Sequence, residues 1–74
     1  MTRLPACTPA EVIRALERAG FVLHHSTGSH RFFKHPVRPG YVTVAYHGRD
    51  LDRKTLHSIL KQAGLSRDEF LKLL

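Results

Sequence analysis

The sequence predicts an α+β fold in the order α-β-β-β-α: a three-stranded antiparallel sheet with helices on one face, followed by a short C-terminal helix. Three observations predict it. The apolar residues change period twice, from helical to alternating and back. Short connections separate the alternating runs, so an antiparallel meander is the natural pairing. The chain has 74 residues and shows no linker, repeat or low-complexity tract, which predicts one domain over 1–74. A chain of that size hides only roughly 60% of the surface its unfolded form exposes, so the core must be compact.

The first helix opens at Thr8-Pro9-Ala10-Glu11. This is a capping box with proline at the first helical position: the Thr8 hydroxyl takes the Glu11 amide and the Glu11 carboxylate returns to the Thr8 amide. Val12, Ile13 and Leu16 then share one face, and Gly20 ends the helix so that Phe21 folds back onto Leu16. Three strand-like runs follow. Phe21 to His25 alternates weakly and stops at a Ser26-Thr27-Gly28 turn cluster. His30 to His35 forms the second run, closed by Pro36, Pro39 and Gly40; Tyr41 to Tyr46 forms the third, with Val42 and Val44 on one face and Tyr41, Thr43 and Ala45 on the other. The second helix starts at Asp52, with Asp50 competing as N-cap, and presents Leu56, Ile59, Leu60 and Ala63 before stopping at Gly64. Ser66-Arg67-Asp68-Glu69 is a second capping box, with Leu65 and Phe70 as a hydrophobic staple, and it opens the short last helix over 66–74.

Lys and Arg number 12 against six Asp and Glu, a net charge of +6 with histidine neutral. That balance favours a polyanionic partner, nucleic acid or an acidic protein, without choosing between them. Cys7 is the sole cysteine, which excludes an internal disulfide framework and a Cys-clustered zinc module. No apolar run approaches the roughly 18–20 residues of a membrane span, and the N-terminus lacks a signal-peptide h-region. The expectation is a cytoplasmic protein with no membrane partner.

Alternation within the second run sends Arg31, Phe33 and His35 one way and His30, Phe32 and Lys34 the other. Either phenylalanine can be the buried one; pairing with Val42 and Val44 favours Phe33. His30, Phe32 and Lys34 then share the open face with Tyr41 and Thr43. Such a face suits RNA, with a cation for phosphate, rings for unpaired bases and an imidazole for proton transfer. Gly28-Ser29-His30 is its most informative part, because glycine allows a sharp turn and a close backbone approach just before His30. RNA scission needs no metal when the neighbouring 2′-hydroxyl attacks: an imidazole takes that proton or an imidazolium protonates the departing 5′-oxygen. Read alone, the tripeptide is weak evidence for catalysis and better fits a tight hairpin followed by a solvated histidine. His25, His30 and His35 are spaced by five, but His30 and His35 point to opposite faces and cannot converge on one ion. No metal and no cofactor is expected.

Gly28-Ser29-His30, Phe33-Lys34-His35-Pro36, Val42-Thr43-Val44, Thr55-Leu56 and the run Ser58-Ile59-Leu60-Lys61-Gln62-Ala63-Gly64-Leu65 together resemble the HicA (YcfA-like) family, over roughly residues 9 to 65. The resemblance implies a double-stranded-RNA-binding-domain-like fold. It also implies the toxin half of a type II toxin–antitoxin pair, a metal-independent mRNA interferase that arrests translation in the stress response. His30 matches the family's catalytic histidine. Gly28, Ser29, Arg31 and Lys34 surround it as candidate RNA-binding residues, with Arg38 a further phosphate candidate. The implied partners are mRNA as substrate and a HicB-type antitoxin that covers the site; the free chain is expected to be monomeric. The chain departs from the family at Ala45, where proline is frequent, at Lys54, where glycine is frequent, and at Arg31, where a second histidine is frequent. The alternative function is a non-catalytic double-stranded-RNA-binding module that reaches a duplex through its helices and loops.

Overall fold

The computed structural model describes residues 4–74. The elements run α1 (Pro9–Arg18), β1 (Val22–Thr27), β2 (His30–Lys34), β3 (Val42–Ala45), α2 (Arg53–Ala63) and α3 (Arg67–Leu73), the expected α+β layout. The sheet order is β1-β2-β3, antiparallel throughout. Helical side chains from α1 (Val12, Ala15, Leu16), α2 (Leu56, Ile59, Leu60, Ala63) and α3 (Phe70) meet Phe33, Val42 and Val44 from one face of the sheet in a single apolar cluster. No polar or charged side chain among the described residues is buried in it.

Local chemistry explains the helix ends. The Thr8 amide donates to Glu11 Oε1 at 2.9 Å and the Glu11 amide to Thr8 Oγ1 at 3.3 Å, closing the first capping box. At the other end the Gly20 amide donates to the Glu17 carbonyl and the Phe21 amide to the Leu16 carbonyl, with Gly20 at φ +98°. That pair of bonds is a Schellman motif, and it folds Phe21 onto the core rather than into a strand. Asp52 is the N-cap of α2, accepting the Thr55 amide at 2.7 Å, so Asp50 plays no part there. The second box closes α3's start through Ser66 and Glu69.

The strand ends differ from the sequence expectation. β1 begins at Val22 and continues through Ser26 and Thr27, which pair with Arg31 and His30. Only Gly28 and Ser29 lie outside the ladder. Gly28 has φ +58° and no non-glycine among the described residues takes a positive φ, the pattern of a two-residue II′ turn whose twist matches the flanking strands. Pairing therefore extends right up to the turn. His35 leaves β2 because its Nδ1 accepts the Val37 amide at 3.1 Å and its ring packs edge-on against Phe21, centroids 5.0 Å apart. On the outer side of β3, the Thr43 amide donates to Gln62 Oε1 of α2 at 3.0 Å. A bridge from the Leu51 amide to the Cys7 carbonyl (2.8 Å) ties the segment before α1 to the loop before α2. None of the described helices is long and apolar enough to cross a membrane.

Candidate nucleic-acid interface

Phe33, 1% exposed, pairs with Val42 on the helix side of the sheet. Alternation then turns His30, Phe32 and Lys34 to the side that no helix covers. His30 is exposed and is the first residue of β2, set between Thr27 of β1 and Ala45 of β3. The turn before it is held from both strands: Ser29 accepts the Tyr46 amide at 2.6 Å, which continues the β2–β3 ladder past its last paired residues. An added Cβ at Gly28 would meet nothing within 4 Å, so glycine is required there by its backbone conformation alone.

The expected site residues divide into two groups. Gly28, Ser29, His30 and Lys34 are exposed and belong to the turn or the open face. Arg31 does not join them. It pairs with buried Val44 on the helix side, where its guanidinium carbon lies 4.2 Å from the centre of the Tyr46 ring and its Nη1 is buried with no hydrogen-bond partner among the described residues. Arg38 is also engaged elsewhere: its Nη1 donates to the Ala63 carbonyl at the end of α2, where a cation meets the free helix carbonyls. His47 faces its own loop, its Nδ1 accepting the Arg49 amide at 3.2 Å. His35 lies against Phe21 beneath the sheet, away from His30.

The open face also carries residues that the sequence reading missed. The register between β1 and β2 slips between Leu23 and His25, leaving one extra residue in β1. His25 stacks on Phe32 with centroids 4.3 Å apart and planes 10° from parallel. His24 lies 5.3 Å and His25 6.0 Å from the Tyr41 ring, both edge-on. Their Nδ1 atoms are 3.0 Å apart, so one donates and the other accepts. Lys34 Nζ sits 5.4 Å from the centre of the Tyr41 ring. The weak alternation of this first run was the one available signal, since regular pleating sends successive residues to opposite faces.

The charges are segregated as well. No Asp or Glu occurs between Glu17 and Asp50, a stretch that includes the whole sheet and both of its connections. Four of the six carboxylates, Glu11, Asp52, Asp68 and Glu69, sit at helix starts instead. Glu11 is held below the usual carboxylate range chiefly by the Thr8 amide it accepts, and Asp52 and Glu69 likewise by the Thr55 and Ser66 amides. Cys7 is buried beneath the helices, and burial foremost, then Glu11 and Asp50, raises its thiol above its ordinary value. A buried thiol of that kind is a poor nucleophile.

Two comparisons bear on this arrangement. The family model described as the HicA toxin of bacterial toxin–antitoxin systems matches residues 9–65, from the first residue of α1 to just past α2. No curated protein matches the chain.

Proposed function

The chain belongs to the HicA toxin family, and from that premise we propose that it is a metal-independent endoribonuclease that cleaves mRNA and so arrests translation. The observation that carries the reading is His30: an exposed imidazole at the start of a strand, directly after a glycine turn, on a sheet face free of carboxylates. The chemistry follows from the substrate. A ribose 2′-hydroxyl attacks the adjacent phosphorus; the 2′-O–P bond forms, the P–O5′ bond breaks, and the products are a 2′,3′-cyclic phosphate and a free 5′-hydroxyl. One proton leaves the 2′-oxygen and one reaches the 5′-oxygen, and His30 performs one of these transfers as general base or acid.

The neighbouring residues have separate tasks in this reading. Gly28 and Ser29 let the sugar–phosphate chain approach the backbone closely. Lys34, on the same face, offers charge to the phosphates and to the negative charge that builds on their oxygens. Arg31 is a positioning residue: its guanidinium packs on Tyr46 and the Tyr46 amide holds the Ser29 carbonyl. The antitoxin partner is of the HicB type and inhibits by covering the open face; the free toxin acts as a monomer in the cytoplasm.

The test is His30→Ala. The variant is expected to melt as the parent does, because the side chain is exposed, while cleavage of single-stranded RNA in EDTA falls by two or more orders of magnitude, as loss of general acid–base catalysis requires. Equal cleavage rates would remove His30 from the mechanism. Tight duplex binding without cleavage in either protein would mark a double-stranded-RNA-binding module instead.

A further inference from the structure

β1 holds one residue more than its partner strand between Leu23 and His25. An extra residue in one strand of an antiparallel pair interrupts the alternation and re-aims the side chains beside it. His24 and His25, adjacent in sequence, consequently meet each other and Tyr41 on one side of the sheet, where His25 also covers Phe32. Bulges of this sort are over-represented at sheet edges, where β1 lies, and beside functional sites.

We infer that His24, His25, Phe32 and Tyr41 form a stacking platform for one unpaired RNA base, the base next to the nucleotide whose phosphate lies at His30. The inference rests on the ribonuclease reading above and adds to it a subsite that binds the substrate. Three observations lead to it. First, Phe32 is two residues beyond His30 on the same face, about 7 Å along the strand, so a base on the platform is a near neighbour of the scissile phosphate. Second, the rings make a corner: His25 and Phe32 lie parallel, while Tyr41 stands 85° from both. A flat base stacked on one wall of such a corner presents its edge to the other. Imidazole nitrogens and a phenol line that corner, and they can hydrogen-bond a base edge where aliphatic side chains cannot.

Third, charge selects the occupant. Lys34 Nζ stands 5.4 Å from the centre of the Tyr41 ring, and the sheet and its connections contain no carboxylate. A single strand offers a phosphate for Lys34 and a free base for the rings at once. A duplex keeps its bases paired and inaccessible.

The test measures binding to a single-stranded 2′-O-methyl RNA, which lacks the attacking hydroxyl and stays intact whatever residue catalyses scission. Tyr41→Ala and His25→Ala should each weaken binding roughly 5- to 100-fold, the range expected for one lost base–aromatic stack. Tyr41→Phe and His25→Tyr, which keep a ring, should stay within about threefold of the parent. An oligonucleotide carrying one abasic position is then scanned along the sequence. At the position that occupies the platform, the loss from the missing base and the loss from Tyr41→Ala should not add, because each removes the same contact. Unchanged affinity in the alanine variants, or fully additive losses at every position, overturns the platform and leaves His30 catalysis standing. A parent chain that does not bind the strand overturns the platform and its RNA substrate together. A cleavage rate untouched by His30→Ala, with platform binding intact, overturns only the catalytic assignment.

Discussion

Gly20 shows how much a single position is asked to do. Its φ of +98° is closed to side-chain-bearing residues at ordinary cost, and a Cβ there would stand 3.0 Å from His35 Nε2. Gly20→Ala should therefore cost at least about 1–2 kcal/mol from the left-handed backbone alone, seen as a lower urea midpoint with the slope unchanged. An alanine variant as stable as the parent would mean that the Schellman closure is dispensable. The exposed position of His30 and the choice of Phe33 over Phe32 for the core were legible at this scale, because strand alternation and the two valines of β3 favour the arrangement that the structure has. His24 and His25 were not. Their convergence depends on a bulge, which is a property of the strand pair rather than of either residue.

Helix starts and stops were legible for a physical reason: each capping donor and acceptor lies within three residues of its partner, so the sequence window contains the whole interaction. Thr8 with Glu11, Asp52 with Thr55 and Ser66 with Glu69 all form as their spacing requires. Strand ends depend on the opposite strand and on the turn, which is why Ser26 and Thr27 read as turn residues in the sequence although they complete the hairpin. The caps have a pH signature. Carboxyls held below their unfolded value contribute stability that is fully present above that value, about 4.3 for Glu, and is lost as pH falls through the folded value. Glu11→Gln with Glu69→Gln keeps a neutral acceptor but removes the charge. The double variant should melt below the parent at pH 7 and converge on it as pH falls from about 5 toward 3. A melting gap that stays constant over that window would exclude the charged caps as its source. The last helix is more than an appendage in this picture: Phe70 is 0% exposed, and Arg18 Nη1 of α1 donates to the Leu73 carbonyl at 2.6 Å.

Across the whole molecule, the arrangement of charge separates the two ways such a fold can meet RNA. Cations occur on both sides: Lys34 on the open face of the sheet, and Lys54 and Lys61 exposed on α2. A substrate strand lying over His30 meets the first, whereas a duplex held by the helices meets the second. Net charge alone, legible from composition, cannot distinguish them; the face on which each cation stands can. Binding to single strands releases counterions, so the logarithm of affinity falls linearly with the logarithm of salt, by about 0.7 for each phosphate neutralised. Lys34→Ala should lower the affinity for single-stranded RNA and make this slope shallower by about that amount, while Lys54→Ala should leave the slope unchanged. The reverse result would move the RNA to the helical face, away from His30, because no strand short enough to be held by α2 alone would bring its ribose to the opposite side of the sheet.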